Sequence, residues 1–303
     1  MVSKIRFSII IPTYNREIYL LDAVRSAVNA SPANAEIIIV NDGDDFSETT
    51  KNVLDTLKAF TLKTVGGIGA GAARNQGAKQ ATGQWLLFLD DDDLIAVGYW
   101  QLVSEFLLQG DETHYRSYGF CHATTSRNRE EMHVISNREA TNAGYFLEEK
   151  NSLRSKLAAL SRGFWLSASI FKEVGGIDPQ LRVNEDTDLC LKLIASGAKC
   201  YVSSFNGAII YKGPRGPKVS KSVTKAHNAI ERASYFKRII DKHTKLLEAD
   251  SAANKWIWKR YLKMAARAKK QTAIAELVAN KTLTLKSKLF LGVYWYGVFL
   301  LRL

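Results

Sequence analysis

The chain has 303 residues, 46% of them hydrophobic and 24% charged, with a net charge of +12. That balance excludes a largely disordered polypeptide, and the odd number of cysteines (Cys121, Cys190, Cys200) excludes a disulfide framework and shows no zinc-ligand spacing, so a reducing, cytoplasmic setting is expected. The charge is uneven: from Ser251 to Leu303 eleven Lys or Arg stand against one acid, Glu276, so the anion-seeking part of the chain is its C-terminal stretch.

In chain order, "FSIII" (7–11), "EIIIV" (36–40) and "WLLFL" (85–89) are short continuous apolar runs bounded by turn chemistry, the pattern of strands buried on both faces. Helical patterns lie between them at Glu17–Asn29, Ser47–Phe60 and Gly71–Ala81. Such alternation predicts right-handed βαβ units, an α/β fold of the Rossmann-like kind with a mostly parallel sheet and flanking helices. Residues 110–160 read as polar and irregular, and the adjacent acids Glu130 and Glu131 suggest no chemistry. A helix over Glu185–Ser196, a stop at Gly197 and a further strand follow, then the strand "AIIYK" and a Gly/Pro/basic segment, "GPRGPKVSKS", expected to be a mobile loop. The expected division is a domain over 1–215, with halves at about 1–95 and 96–215, and a helical basic region over 216–303.

In open parallel sheets, ligands bind beyond the carboxyl ends of the strands. Three of those ends are polar here: "PTYNR", "NDGDD" and the run Asp90, Asp91, Asp92, Asp93. Four adjacent carboxylates repel, and buried unpaired charge is costly. A divalent cation resolves the conflict, since hard oxygen ligands suit Mg²⁺ or Mn²⁺. A solvated acidic loop with Asp93 as the N-terminal charge of the next helix is the plain alternative.

"FSIIIPTYNR", "IIIVNDGDD", "GAGAARNQGAKQATGQWLLFLDDDD" and "GGIDPQLRVNEDTDLCLKL" occur in an order and spacing that resemble inverting family 2 glycosyltransferases of the GT-A fold, over about residues 5–212. The resemblance implies a nucleotide-sugar donor held by Pro12, Tyr14, Asp42 and, less centrally, Arg16, with Arg74 near the diphosphate and Asn75 ordering the local backbone. For Asp42, turn chemistry in "NDG" remains the alternative, and for Arg74 a surface salt bridge. The family's metal-binding Asp-x-Asp element falls on Leu89–Asp93: Asp90 at the ribose or positioning the loop, Asp91 solvated at the variable position, and Asp92 ligating Mn²⁺ or Mg²⁺. A run of four aspartates offers two overlapping frames for this element. In "NEDTD" the resemblance makes Asp186 the catalytic base and Glu185 its positioning partner, while simple helix capping explains the same acids without catalysis.

The implied reaction is a single displacement with inversion, in which Asp186 takes the proton of an acceptor hydroxyl. UDP is the donor base the family favours. The "QxxRW" element of processive synthases is absent, which favours one sugar per encounter, and Lys212, Arg215 and Lys218 are the cations available to the diphosphate. A rival reading comes from Gly67-x-Gly69-x-x-Ala72, the Ala variant of a dinucleotide fingerprint, with Asp90 ending the next strand as in NAD(P)-dependent dehydrogenases. A nucleotidyltransferase or a non-catalytic nucleotide-sugar-binding protein are further alternatives.

In the tail, Lys255, Lys259, Lys263 and Arg267 recur every four residues and line one helical face, with Trp256, Ile257, Tyr261 and Met264 largely on other sides. Nucleic acid is the generic partner of such a stripe. The apolar and aromatic run Leu289–Leu301 favours instead an interfacial helix on an anionic membrane, being too short to span one. That places the chain at the inner face of the cell membrane, with a glycan or lipid-linked glycan as acceptor. A helix packed back on the catalytic domain is the alternative.

Overall fold

A computed structural model describes residues 6–31, 35–110, 115–137, 144–214 and 227–301. Its strands are β1 (Phe7–Thr13), β2 (Glu36–Asn41), β3 (Phe60–Lys63), β4 (Trp85–Phe88), β5 (Leu94–Ile95), β6 (Ser117–Ser126), β7 (Phe146–Glu148), β8 (Trp165–Ser167) and β9 (Lys199–Tyr211). Helices α1 (Glu17–Ala30), α2 (Glu48–Thr56), α3 (Ala70–Gln80), α4 (Tyr99–Gln109), α5 (Arg129–Ser136), α6 (Ala168–Glu173) and α7 (Glu185–Ala195) intervene. The C-terminal stretch forms α8 (Ala229–Lys242), α9 (Thr244–Ala249), α10 (Ser251–Arg267), α11 (Thr272–Ala279) and α12 (Leu285–Leu301).

The strands make one sheet in the order β3-β2-β1-β4-β8-β6-β9-β5, with β7 paired to β9. Its N-terminal half, β3-β2-β1-β4, is parallel throughout. The predicted strands fall where expected because Ile9, Ile10, Ile11, Ile38, Ile39, Leu86 and Leu87 are buried on both faces, as a sheet covered by helices requires. Beyond β4 the pairing is mixed: β8 is antiparallel to β4 and β6, while β6 and β9 run parallel.

Two expectations are corrected. Helix α2 stops at Thr56, capped at its start by the Ser47 hydroxyl, and Phe60 belongs to β3. Within 110–160, expected to be irregular, the described residues supply β6, α5 and β7. Glu130 and Glu131 sit in the first turn of α5, where their amides donate to the Asn128 side chain at 2.8 and 3.3 Å. The acids thus mark a capped helix start that favours negative charge.

By compactness the chain divides into two units, one of 1–150, 158–179 and 192–220, the other of 151–157, 180–191 and 221–303. The sheet lies in the first. In the second, α8 begins with a capping box in which Asn228 and Glu231 exchange side-chain-to-backbone bonds. Helix α10 is capped by Asp250, whose carboxylate also accepts from Leu153 N at 2.9 Å. Ile257, Trp258, Tyr261 and Leu262 are buried, as are Leu291, Trp295 and Val298 of α12. The opposite face of α12 exposes Leu289, Val293, Tyr296 and Leu300. No helix among the described residues is long and apolar enough to cross a membrane.

Candidate active site

The carboxyl ends of β1, β2 and β4 gather most of the expected donor-site residues in the first unit. Pro12 is buried within β1, paired with Val40, while Tyr14 just beyond the strand is 47% exposed. Asn15 turns the chain with φ of 52°, which an Asn tolerates, and its side chain accepts from Asp44 N at 2.7 Å. Gly43 approaches this turn so closely that a Cβ there would overlap the Asn15 side chain. The β1 and β2 loops are thereby locked together.

Asp42 is buried and anchors the segment that enters α3. Its carboxylate accepts from Thr64 Oγ1 at 2.6 Å, Ile68 N at 2.9 Å and Gly69 N at 2.8 Å. The "NDG" position is therefore more than a local turn. This geometry also weighs against the dinucleotide reading, because a fingerprint loop offers its amides to a pyrophosphate, whereas Ile68 and Gly69 donate theirs to a carboxylate of the protein.

The aspartate run follows β4. Asp91, Asp92 and Asp93 are buried, so neither a solvated loop nor a solvated Asp91 is found; Asp90 keeps 33% of its side chain exposed. The Asp91 carboxylate accepts from Thr13 Oγ1 at 2.7 Å and pairs with Arg16 Nη1 at 2.9 Å, and the same guanidinium nitrogen stands 3.3 Å from Asp92 Oδ2. Arg74, buried on α3, pairs with Asp90. Arg74 is therefore not a surface salt bridge, and in this state its Nη2 meets a carboxylate. Asp93 does not cap a helix: its Oδ1 accepts from Tyr211 N at 2.8 Å, and α4 starts after Gly98.

Burial pushes Asp91 up to about 6, with Arg16 opposing and Asp92 adding to the rise. Burial likewise raises Asp93 well above the usual carboxylate range, with Asp90 and Asp92 reinforcing the effect and Lys212 opposing it. Arg16 shows the complement: burial works against its charge, but Asp91 and Asp92 outweigh this and raise it. Four carboxylates thus face the guanidiniums of Arg16 and Arg74 and the field of Lys212, and burial holds Asp91 and Asp93 toward their protonated forms. Among the described residues no three His, Cys, Asp or Glu side chains converge on one point. The donor set fits a hard divalent cation that takes one or two carboxylates and completes its shell with water and phosphate oxygens.

Two residues escaped the sequence reading. Thr13 is the hydroxyl partner of Asp91. Arg129, from the stretch expected to be irregular, donates to the Asp92 carbonyl at 3.3 Å and to Asp22 at 2.7 Å, with its guanidinium 4.8 and 5.4 Å from the ring centroids of Tyr19 and Tyr211. Of the candidate diphosphate cations, Lys212 acts on Asp93 as above, whereas Arg215 and Lys218, with most of the expected mobile loop, lie outside the described residues.

In the second unit Asn184, with φ of 62°, precedes α7, and Glu185 and Asp186 occupy its first turn. The Asp186 carboxylate accepts from Thr187 N at 2.6 Å. Asp188 is fully buried against Lys242 Nζ at 2.9 Å and His243 Nε2 at 2.7 Å, so it ties α7 to the helical unit. Arg260 is pushed below its ordinary value by burial; Asp186 opposes this and Arg232 adds to it. The most local of these arrangements can be tested directly. Asp42→Asn turns one carboxylate oxygen into an NH₂; with Oδ1 kept for Thr64 and Ile68, the Gly69 amide loses its acceptor and should exchange at least about tenfold faster, and stability should fall by about 1–3 kcal/mol, measured by hydrogen exchange and chemical denaturation.

Comparison with known proteins gives the same picture. The model of glycosyl transferase family 2 matches residues 8–175, more than half of the chain. An uncharacterized glycosyltransferase of Haemophilus influenzae is 40% identical over 119 residues, 38% of this chain and 47% of that protein. A GalNAc(5)-diNAcBac-PP-undecaprenol beta-1,3-glucosyltransferase of Campylobacter jejuni is 30% identical over 122 residues, 38% of each chain. The chain thus spans less than half the length of these two relatives. Among solved structures, S. aureus TarS 1-349 in complex with UDP-GlcNAc superposes with a TM-score of 0.63 at 16% identity, covering 97% of this chain and 81% of that 1-349 chain, which establishes a shared GT-A fold. With the family model spanning β1 to α6 and the fold matched, the chain belongs to glycosyl transferase family 2.

Proposed function

We propose that the protein moves one sugar from a nucleotide-sugar, a UDP-sugar in particular, to a hydroxyl acceptor in surface-glycan assembly. The observation that carries this reading is the run of four aspartates at the carboxyl end of β4, three of them buried, flanked by Arg16 and Arg74. A carboxylate cluster of that kind is built for a cation and a diphosphate rather than for hydride transfer. The relatives support the donor and acceptor classes. TarS was solved with UDP-GlcNAc, and the Campylobacter jejuni enzyme is named for a PP-undecaprenol-linked glycan.

In this reading Tyr14 and Asp42 hold the nucleoside end, with Pro12 shaping the strand end beneath it. Asp90 bears on the ribose. Arg16 and Arg74 hold the loop of carboxylates in place and give up charge to the diphosphate when it arrives. Mn²⁺ or Mg²⁺ would be held through Asp92, and its chemistry there is to neutralise charge developing on the departing diphosphate. Asp186 takes the proton of the acceptor hydroxyl as that oxygen attacks the anomeric carbon, and Glu185 orients it. One displacement inverts the anomeric centre, and no second nucleophile is required. Asp186→Asn should lower sugar transfer by about 10²–10⁴-fold with UDP affinity retained; transfer at the wild-type rate would remove Asp186 from the chemistry.

We further infer that α12 rests in the interface of an anionic bilayer at the inner face of the cell membrane. Leu289, Val293, Tyr296 and Leu300 form an exposed apolar stripe, while Leu291, Trp295 and Val298 secure the helix from the other side. The double variant Leu289→Glu, Val293→Glu alters only exposed positions and should shift the protein from the membrane to the soluble fraction; unchanged fractionation would refute the assignment.

A further inference from the structure

The helical unit holds a second concave site. A cleft of about 660 Å³ is walled by α8, α10 and α12, and seven of its lining residues are Lys or Arg while none is Asp or Glu. Lys255, Lys259, Lys263 and Arg267, spaced every four residues on α10, all face it. The expected basic stripe therefore lines a cleft, with Lys255 and Lys263 half-buried and Lys259 and Arg267 exposed to solvent. Trp256 and Met264, expected on other sides, line it too.

The cations are held in place mainly by aromatic rings. Lys255 Nζ lies 4.0 Å from the Phe290 centroid and Lys259 Nζ 4.7 Å from that of Tyr294. Arg154 and Arg260 stand 5.7 and 4.9 Å from the Trp256 ring. Cation–π contacts of this kind orient ammonium and guanidinium groups but leave their charge uncancelled. Arg232 Nε is buried with no hydrogen-bond partner among the described residues. Arg260 is pushed below its ordinary value chiefly by burial, with Arg232 adding to this and Asp186 of the same unit opposing it.

Mutual repulsion among seven cations makes the cleft incomplete without a multiply charged anion, and rigid aromatic supports lower the entropic cost of binding one. Phosphate suits the site best, since guanidiniums bind it bidentately and ammoniums as point charges. A concave site of this volume takes a discrete group and not a flat bilayer or a duplex. We propose that the cleft is an acceptor subsite that binds the phosphate groups of a phosphate-bearing acceptor. This rests on the reading of Asp186 as the base, whose own unit the cleft occupies.

The test titrates inorganic tripolyphosphate into the full chain by calorimetry at about 0.15 M salt without divalent metal, beside a UDP titration with Mn²⁺. Saturable tripolyphosphate binding that weakens at least about tenfold in Lys259→Gln, Lys263→Gln, with UDP binding and melting temperature unchanged, supports the cleft. Absence of that binding in a protein that binds UDP, or equal binding by the double variant, overturns the cleft alone. Tripolyphosphate binding by a protein that does not bind UDP overturns the donor reading and the acceptor assignment with it. Vesicles of phosphatidylcholine with and without phosphatidylglycerol complete the experiment. If the double variant loses vesicle binding while tripolyphosphate binds nowhere, the cleft is a bilayer surface and the proposal fails.

Discussion

The molecule is organised around a problem of electrostatics at the end of β4. Four consecutive carboxylates, three of them buried, are held by Arg16 against Asp91 and Asp92, Thr13 against Asp91, Arg74 against Asp90 and the Tyr211 amide against Asp93. Removing water from such a run raises Asp91 to about 6 and Asp93 well above the usual carboxylate range, so the repulsion is relieved partly by the two guanidiniums and partly by protonation. The residues that restrain the run come from β1, the turn after it, α3 and β9. A large part of the sheet's topology therefore serves to converge on these few atoms.

Asp42 plays the corresponding part at the next strand end. Its carboxylate collects Thr64 and two amides at the entrance of α3, fixing the helix that carries Arg74. Carboxylates at the ends of β2 and β4 thus act on one helix, one holding its entry and the other its arginine. The glycines between β3 and α3 supply the positive φ angles that let this segment wrap Asp42, with Gly66, Gly67 and Gly69 at 89°, 69° and 89°. Read as a motif they imitate a dinucleotide loop; read as structure they bind the protein's own carboxylate.

The legible parts of the fold were those with a local signal. Continuous Ile and Leu runs marked β1, β2 and β4, and the aspartate run marked the site. What escaped depends on partners distant in sequence. Thr13 is an ordinary strand residue until β1 and β4 pair and set it against Asp91, 78 positions away. Arg129 acquires meaning only when α5 carries it onto Asp92. The Asn128, Glu130, Glu131 pattern signalled a helix start, yet nothing local showed where that helix would point. Strand β6 was missed because "SYGFCHATTS" is rich in small and polar residues; it is secured by pairing with β8 and β9 and not by its own propensity. The basic stripe on α10 was legible as a periodicity, but the walls from α8 and α12 that turn it into a cleft were not.

If the clustered carboxylates of Asp90–Asp93 are what the donor site is built on, a divalent cation and a nucleoside diphosphate must bind cooperatively there. Electron paramagnetic resonance of Mn²⁺ titrated with and without UDP measures this directly. The expected result is that each ligand tightens the other by about tenfold or more, and that Asp92→Asn abolishes the coupling. Equal Mn²⁺ affinity with and without UDP, or undiminished coupling in Asp92→Asn, would contradict it.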